Sequence, residues 1–332
     1  MCSRGDITLQ HVKVLITRQW PQAVERDMRE VFDVTFNTSD TPMTHDDFRA
    51  AFQDFDAIFP TVSDSIPVDA YGVENRRVRL LANFGVGYNH IDIPAAHAAG
   101  ITVTNTPGVL TDCTADLAMG LLLCAARRIG EGERELRKGK WVGWRPTHMI
   151  GAKVTGATLG IIGFGRIGQA VAQRAHHGFG MKIVFYNRST IAPEIAAHTR
   201  AQQLGSVTDV MAASDFVSLH CPGGDETRHV IDAQALAAMK PTGFLINTAR
   251  GDVVDETALI TALKNDEIAG AGLDVYAQEP NVSPDLIALE NVLLAPHLGS
   301  ATDATREAMG RMAFNNARAF FDGKTPPNRV QS

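Results

Sequence analysis

The stretch T-L-G-I-I-G-F-G-R-I-G-Q-A-V-A-Q, from Thr158 to Gln173, decides the fold. It opens with the apolar run Thr158–Ile162, predicted as a buried parallel strand, and the residues from Ile167 onward have the spacing of a helix. Between them, Gly163–Gly168 has the pattern G-x-G-x-x-G. In such a unit the first glycine permits a tight turn, the second lets backbone approach a pyrophosphate, and the third lets the helix pack on the strand. The stretch predicts dinucleotide binding at a helix N-terminus, although the motif alone would also suit a glycine-rich turn.

Apolar runs separated by helical patterns continue on the C-terminal side of this motif. Several of these runs are continuously apolar, which is typical of a parallel sheet covered by helices on both faces. We therefore expect a doubly wound α/β domain. Its further strands are predicted at Lys182–Tyr186, Phe216–His220, Gly243–Asn247, Ala269–Asp274 and Val292–Leu294, and its helices include Ile167–His177 and Glu256–Leu263.

A smaller α/β unit is predicted in the first third of the chain. Short strands alternate there with amphipathic helices, before a long apolar helix and a basic arm that contains aromatic residues. The amphipathic stretch Ala304–Phe321 can return to this first unit. The predicted strands are Val12–Ile16, Ala57–Pro60, Val78–Asn83 and Ile101–Thr104, the helices are Gln22–Val31, His45–Phe52 and Ala115–Arg128, and the arm is Lys138–Ile150.

Composition and charge argue against several classes of protein. A chain of 332 residues is long for one core, so two domains are expected. A formal charge of −6 and a pI near 6.0 argue against nucleic acid as a main partner. The N-terminus has no apolar signal core, and no stretch is long and apolar enough to span a membrane. The four cysteines lack metal-ligand spacing and are interpreted as reduced thiols of a cytoplasmic protein: Cys2, Cys113, Cys124 and Cys221.

The end of the second strand of the dinucleotide domain indicates which cofactor is preferred. An acidic residue commonly stands there and binds the ribose 2′-hydroxyl of NAD. This chain has Asn187-Arg188-Ser189-Thr190 instead, so a cation and two hydroxyls replace the carboxylate that would repel a phosphate. We therefore expect NADP(H) to be preferred, with NAD(H) also usable. The alternative is that Arg188 is a solvated surface arginine.

Three polar side chains follow apolar runs further along the chain. Arg250 offers a cation for a carboxylate, His297 a titratable proton donor, and Glu279 an acid that can orient and charge an imidazole. Hydride transfer between nicotinamide and a 2-oxo acid needs such a set. Because a carboxylate favours the imidazolium, we expect Glu279 to raise the pKa of His297 above about 6.5. Taken singly, the three could equally be a solvated charge, a surface ion pair and a core histidine.

Four motifs in this order resemble the D-isomer-specific 2-hydroxyacid dehydrogenases. They are GFGRIG, NTARGDVVDETAL, AGLDVYAQEP and LLAPHLGSAT, within a match that runs from about Val12 to Phe321. The resemblance implies a central Rossmann domain formed by residues 107–299. It also implies a discontinuous, flavodoxin-like substrate-binding domain formed by residues 1–106 and 300–332, with the active site in the cleft.

The same resemblance implies roles for individual residues. Arg250 binds the substrate carboxylate and carbonyl, His297 is the proton donor in reduction, and Glu279 is the partner of His297. Cys221 needs only to pack as a thiol, although its segment adjoins the cofactor. The implied cofactor contacts are Thr114, Gly163, Gly165, Arg166, Ile167, Gly168, Asn187, Arg188, Ser189, Cys221, Pro222, Thr227, Thr248, Ala249, Asp274 and Gly299.

A loop of the first domain resembles the substrate-carboxylate loop of the family. It spans Asn83–Asp92, with Val86 and Gly87 as the substrate-binding residues. Small residues at Gly85 and Gly87 are expected to let backbone N–H groups converge as an anion nest. The alternative is an ordinary strand-to-helix turn.

Within the family, the GVGYNHID loop, the Asn-Arg-Ser turn and the arm with Trp141, Trp144, Arg145 and Pro146 look most like glyoxylate/hydroxypyruvate reductases. The expected reaction is reduction of a small 2-oxo acid by NADPH to the D-2-hydroxy acid. A 2-ketogluconate reductase and a phosphite dehydrogenase on the same fold are alternatives. Formate dehydrogenases carry an amide where Glu279 stands, which counts against formate. A dinucleotide-sensing, corepressor-like protein is the non-enzyme alternative, and the short polar tail after the last helix counts against it.

The helix Ala115–Arg128 and the arm Lys138–Ile150 also bear on assembly. They carry more apolar and aromatic residues than the edge of a monomer needs. By resemblance to the family they are expected to form a homodimer about a two-fold axis, with Trp141 reaching the partner's cleft. The alternative is that the helix is simply core within one subunit.

Overall fold

The computed structural model describes residues 9–331. Cys2 and the N-terminal stretch, interpreted above as a reduced thiol and a segment without a signal, lie outside the described residues. The chain divides into two compact units, one formed up to Leu110 and again from Ala301, and the other by Thr111–Ser300. The sequence placed these junctions at 106/107 and 299/300. Among residues 9–331, no helix is both long and apolar enough to cross a membrane.

The first unit contains a five-stranded parallel sheet. Its strands are β1 (Leu9–Ile16), β2 (Phe32–Phe36), β3 (Ala57–Phe59), β4 (Leu80–Ala82) and β5 (Thr102–Thr104). They are ordered β2-β1-β3-β4-β5, which is the flavodoxin-like order. The chain places β2 on one side of β1 and then β3, β4 and β5 on the other side. The strand order therefore reverses between β1 and β3, and the carboxyl ends of these strands form a crevice there. The helices that connect these strands are α1 (Gln22–Val31), α2 (His45–Asp54) and α3 (Ile93–Ala98), and a 3-10 turn lies at Val68–Gly72.

The second unit contains a seven-stranded parallel sheet. Its strands are β6 (Thr158–Ile162), β7 (Lys182–Tyr186), β8 (Gln202–Gln203), β9 (Phe216–Leu219), β10 (Phe244–Asn247), β11 (Gly270–Leu273) and β12 (Val292–Leu294). The order β12-β11-β10-β9-β6-β7-β8 is that of a Rossmann domain. The sheet has core on both faces, because Leu245 of β10 packs in one apolar cluster and the adjacent Ile246 in the other. The predicted α/β class, with a Rossmann domain and a smaller discontinuous domain, is confirmed.

Eight helices of this unit surround the sheet. They are α4 (Thr111–Ala126), α5 (Ile129–Arg137), α6 (Arg166–Gln173), α7 (Pro193–Ala197), α8 (Val207–Ala213), α9 (Ala233–Ala237), α10 (Glu256–Lys264) and α11 (Pro284–Ile287), with a π turn at Arg174–Gly178 and a 3-10 turn at Gly251–Val253.

Two predicted helices end earlier in the structure than the sequence pattern indicates. The long apolar helix ends at Ala126 rather than at Arg128, because Arg128 has a left-handed φ of 54° and begins the approach to α5. The helix that follows the glycine loop is regular only to Gln173 and then continues as the π turn. Both changes follow from backbone conformations that periodicity alone does not encode.

The last helix, α12 (Asp303–Phe321), returns to the first unit, as its amphipathic pattern predicted. Ala313, Phe314 and Ala317 are buried in one cluster with residues of β1 and α1. The ring of Phe314 meets the edge of Phe32 with their centroids 5.9 Å apart. The first unit is therefore completed by residues from near the C-terminus.

Candidate active site

The glycine loop follows β6 at the point where β7 and β9 lie on either side of it. Gly163 has a φ of +92°, and a Cβ there would lie 2.6 Å from the backbone nitrogen of Cys221. A Cβ on Gly168 would collide with the carbonyl oxygen of Gly163, so helix and loop pack at glycine distance. A Cβ on Gly165 would meet no atom within 4 Å. The first and third glycines thus shape the loop, and the second keeps the backbone open to a ligand at the N-terminus of α6.

The turn after β7 is built around Asn187. Its Oδ1 accepts the N–H of Phe164 at 3.1 Å, and its Nδ2 donates to the carbonyl oxygen and the hydroxyl of Ser189 at 3.0 and 3.1 Å. The side chain of Asn187 therefore joins the glycine loop to this turn. Arg188 is exposed and forms an ion pair with Glu226. The structure brings Asn187, Arg188 and Ser189 to the edge of the sheet where the glycine loop lies.

The segment after β9 forms a tethered loop from Cys221 to His229. The Thr227 hydroxyl donates to the carbonyl oxygen of Pro222 at 2.6 Å. Gly224 N–H donates to Asp252 Oδ2 at 3.0 Å, and His229 N–H donates to the carbonyl oxygen of the same Asp252 at 2.8 Å. Burial raises the pKa of the Cys221 thiol to about 11, which is consistent with a packed, protonated side chain.

Arg250 is held by the end of β10. Asn247, which is 1% exposed, donates from Nδ2 to the carbonyl oxygen of Arg250 at 2.9 Å and accepts the N–H of Ala249 at 3.0 Å. Burial lowers the pKa of the Arg250 guanidinium, while the charges of Glu279 and Asp252 favour its ionised form. An arginine remains charged in proteins, and only Nη1 has a hydrogen-bond partner among the described residues, the carbonyl oxygen of Ala249 at 2.7 Å.

The segment that carries Arg250 lies directly against the segment that carries Glu279. A Cβ on Gly251 would overlap the carbonyl group of Tyr276, so only glycine permits this approach. Tyr276 N–H donates to Glu279 Oε1 at 3.1 Å, and the Tyr276 hydroxyl donates to the carbonyl oxygen of Ala295 at 2.8 Å. Tyr276 therefore links the turn of Glu279 to the chain just before His297.

His297 and Glu279 are in direct contact. His297 Nδ1 lies 2.7 Å from Glu279 Oε2, which leaves the Nε2 of the ring available. Burial alone would raise the pKa of Glu279, but the hydrogen bond and charge of His297, the Tyr276 N–H and the charge of Arg250 outweigh it and lower the pKa. Glu279 is therefore ionised at neutral pH and can fix the tautomer and orientation of the imidazole.

Asp274 organises the turn that contains His297. Its backbone carbonyl accepts the His297 N–H at 2.9 Å, and its two carboxylate oxygens accept the N–H groups of Leu298 and Gly299 at 2.6 and 2.8 Å. The Thr114 hydroxyl donates to the Gly299 carbonyl oxygen at 2.9 Å. Burial raises the pKa of Asp274, and the two N–H donors and the charge of His297 offset this only in part. These contacts hold His297 at a left-handed φ of 53°, a conformation that is costly for a residue other than glycine.

The remaining predicted cofactor residues surround these elements. Arg166 is exposed at the first turn of α6, and Ile167 packs partly buried against the cluster that contains α4. Thr248 is 8% exposed, and its hydroxyl has no hydrogen-bond partner among the described residues. A buried, unpaired hydroxyl next to the Arg250 segment and an open glycine loop fit a bound dinucleotide.

In the first unit, the loop Gly85–Gly87 has its carbonyl groups tied down. Asn83 Nδ2 donates to the carbonyl oxygens of Gly85 and Gly87, each at 3.0 Å, and Asn105 Nδ2 donates to that of Val86 at 2.9 Å. Neither glycine has a positive φ, so the expected nest of alternating left- and right-handed residues is not what shapes this loop. Side-chain amides hold the carbonyl groups, and the N–H groups of residues 85–87 have no partner among the described residues.

The sequence analysis assigned no individual role to several residues that organise these sites: Asn83, Asn105, Asn247, Asp252 and Tyr276. Three of them are asparagines at a strand end: Asn83 follows β4, Asn105 follows β5 and Asn247 is the last residue of β10. An amide that both donates and accepts at a strand end is the signal that could have identified them, because it can satisfy the backbone of the loop that follows.

Comparisons with known proteins agree with this arrangement. Residues 119–299 match the family model described as the D-isomer specific 2-hydroxyacid dehydrogenase, NAD binding domain. The chain is 46% identical to a glyoxylate reductase of Thermococcus litoralis over 96% of each protein. A putative D-isomer specific 2-hydroxyacid dehydrogenase from a Polaromonas species has a TM-score of 0.89 at 36% identity, covering 96% of this chain and 99% of that one.

A further solved structure is an NADPH-dependent glyoxylate/hydroxypyruvate reductase from Sinorhizobium meliloti, in complex with NADP and malonate. It has a TM-score of 0.82 at 34% identity, with 96% of each chain covered. The relative and the two solved structures each cover 96% of the chain, and the family model spans the segments that carry Arg250, Glu279 and His297. The chain belongs to the D-isomer specific 2-hydroxyacid dehydrogenase family.

Proposed function

We propose that this protein reduces a small 2-oxo acid, glyoxylate or hydroxypyruvate, to the D-2-hydroxy acid with NADPH. The contact between His297 Nδ1 and Glu279 Oε2, together with the partly buried cation of Arg250, carries this proposal. The names of the relatives from Thermococcus and Sinorhizobium support the substrates. No described observation favours phosphite oxidation, 2-ketogluconate reduction or a sensor role over this reaction.

The side chains divide the work of reduction. Because Nδ1 of His297 is bound to Glu279, Nε2 gives its proton to the carbonyl oxygen, and the ionised Glu279 stabilises the imidazolium beforehand. Arg250 holds the carboxylate and polarises the carbonyl with donors that the protein does not use. In the first unit, the N–H groups of Val86 and Gly87 bind the substrate carboxylate.

The cofactor is proposed to lie on the glycine loop, with its 2′-phosphate at Arg188 and Ser189. Bound NADPH supplies the hydride that reaches the carbonyl carbon. Residue 187 is an asparagine and not an acidic residue, which supports the preference for NADPH over NADH. Thr114, Thr248, Ala249, Asp274 and Gly299 are proposed to line the nicotinamide end, while Cys221, Pro222 and Thr227 line the adenosine side.

A test of the proton donor uses His297→Asn rather than alanine. Asparagine tolerates the left-handed φ of 53° and cannot donate an acidic proton. We expect kcat for glyoxylate to fall about 10²- to 10⁴-fold, which is the usual contribution of general acid catalysis, with an unchanged Kd for NADPH. Near-normal turnover across the pH range would exclude His297 as the donor.

The companion variant Glu279→Gln tests the role of the carboxylate. The pKa of Glu279 is lowered, so the carboxylate is ionised at neutral pH where it contacts Nδ1 of His297. An amide carries no charge, so kcat for glyoxylate should fall while the Kd for NADPH stays unchanged. An unchanged kcat would show that the charge of Glu279 does not assist the reaction. Initial rates with glyoxylate, hydroxypyruvate, pyruvate and 2-ketogluconate, each with NADPH and NADH, then rank the substrates.

We also propose a homodimer that uses the arm Lys138–Ile150. Trp141, Val142, Trp144 and Ile150 are 51%, 77%, 81% and 68% exposed. Helix α4, in contrast, buries much of its apolar surface inside its own unit, so the arm supplies most of the proposed contact. Sedimentation at micromolar concentration should give about twice the 35.8 kDa of one chain, and a single species at the monomer mass would contradict the dimer.

A further inference from the structure

An ion pair crosses the adenosine side of the candidate cofactor site. Arg188 follows β7 and Glu226 belongs to the loop after β9, and these two strands flank β6 in the sheet. The pair therefore spans the carboxyl end of β6, where the glycine loop begins. In open parallel sheets this crevice is where dinucleotides bind. Both side chains are largely exposed, at 80% and 78%.

The backbone on each side of this pair is fixed. On the Arg188 side, Asn187 bonds to Phe164, and Gln203 Nε2 lies 3.2 Å from the carbonyl oxygens of both Asn187 and Ser189. On the Glu226 side, the loop is tied to Asp252 by Gly224 and His229. Only the two side chains are therefore free to exchange partners, so the pair can open without moving either loop.

We propose that Glu226 sets the cofactor preference by competing with the 2′-phosphate for Arg188. This inference rests on the proposed binding of NADPH at Arg188. NADPH must take Arg188 from Glu226, whereas NADH has no phosphate and leaves the ion pair intact. A carboxylate within reach of Arg188 also repels a phosphate held by that arginine. Glu226 thus weakens NADPH binding and keeps NADH competitive.

The size of the effect follows from the exposure of the pair. Solvated ion pairs favour the closed state by only about 1.4- to 5-fold. Removal of the competitor is therefore expected to tighten NADPH binding by about two- to sixfold. The gain should shrink at high salt, because screening weakens both the ion pair and the repulsion. An effect of this size changes the preference between NADPH and NADH with little change in the free energy of unfolding.

The test compares Kd values for NADPH and NADH, measured by nicotinamide fluorescence on the full chain. Glu226→Gln removes the competitor, and Asp225→Asn is the matched control because it removes an adjacent exposed carboxylate. Glu226→Gln should tighten NADPH binding two- to sixfold and leave NADH binding unchanged, while Asp225→Asn should change neither Kd. In the Arg188→Ala background, Glu226→Gln should have little further effect.

Each contrary outcome has its own meaning. If Arg188→Ala weakens NADPH binding but Glu226→Gln leaves it unchanged, the competition is wrong and the proposed phosphate site stands. If Glu226→Gln and Asp225→Asn act equally, or if Glu226→Gln still tightens NADPH fully in the Arg188→Ala background, net charge explains the effect and the competition is wrong. If Arg188→Ala does not weaken NADPH binding, the proposed phosphate site fails and the competition fails with it.

Discussion

Two loops of this protein share the pattern G-x-G at the end of a parallel strand, but they present backbone N–H groups in different ways. In the loop Gly163–Gly165, a left-handed glycine turns the chain tightly against Cys221 and starts a helix. In the loop Gly85–Gly87, neither glycine is left-handed, and the amides of Asn83 and Asn105 hold the carbonyl groups. The first loop depends on glycine itself, whereas the second depends on its asparagine neighbours.

The difference fits the anions that the two loops are proposed to bind. A dinucleotide pyrophosphate is large and needs open backbone together with the dipole of a helix. A small carboxylate needs only a few backbone N–H groups that point in a fixed direction. Side-chain amides can fix that direction by holding the carbonyl groups of the same loop. The same G-x-G pattern therefore predicts a turn in both places. The backbone conformation of glycine orients the N–H groups of the first loop, whereas neighbouring asparagine side chains orient those of the second.

The largest expected effect comes from substituting within the first loop. Gly163→Ala puts a Cβ 2.6 Å from Cys221 N at a φ of +92°. The backbone conformation alone costs about 1–2 kcal/mol for alanine, and the collision adds to this. We expect a lower Tm and a loss of most NADPH binding, measured by thermal unfolding and fluorescence titration.

Gly165→Ala is the matched control for this prediction. Its Cβ meets no atom within 4 Å, and its φ of −75° suits any residue. The free protein should keep its Tm, yet NADPH binding should weaken because the added methyl group faces the pyrophosphate. If Gly165→Ala binds NADPH normally, the second glycine does not face the cofactor.

A smaller effect is expected from the second loop. Asn105→Ala removes the amide that holds the Val86 carbonyl. One hydrogen bond of this kind contributes about 0.5–1.5 kcal/mol, so KM for the 2-oxo acid should rise about two- to tenfold. The Kd for NADPH should not change, because the loop belongs to the other unit.

Gln53→Ala provides the control for a general loss of stability in the first unit. Gln53 Nε2 also donates to a backbone carbonyl, that of Glu74, at 3.0 Å and away from the Gly85–Gly87 loop. A rise in KM that Gln53→Ala reproduces would indicate loosening of the whole unit. An unchanged KM in Asn105→Ala would show that the glycine pattern is sufficient and would remove the contrast between the two loops.

Much of the fold could be predicted because hydrophobic patterning is strong in buried parallel strands. The predicted bounds of β6, β7 and β12 are those of the structure. Strand β2 was not predicted, because it follows α1 without an intervening turn residue and its polar Asp33 and Thr35 hide the apolar run. Helix α5 was not predicted either, since its charged sequence Ile129–Arg137 buries no residue.

The candidate site shows a similar limit. Charged residues such as Arg250, Glu279 and His297 stand out because their chemistry is needed whatever the local geometry. The ion pair of Arg188 with Glu226 could not be predicted, because it joins residues 38 positions apart across two loops. The close packing of Gly251 on Tyr276 is likewise a property of the folded chain, which one sequence does not reveal.

The return of α12 to the first unit also determines the order in which the protein can fold during synthesis. The second unit, Thr111–Ser300, is one continuous segment and is complete before α12 is translated. The first unit must wait, because Ala313, Phe314 and Ala317 supply part of its core and the Gly310 position lies against Val24. Until that helix arrives, the apolar surface of α1 and β1 stays uncovered and open to chaperones or to aggregation. A chain that ends near residue 300 therefore contains the whole second unit but lacks part of the core of the first unit.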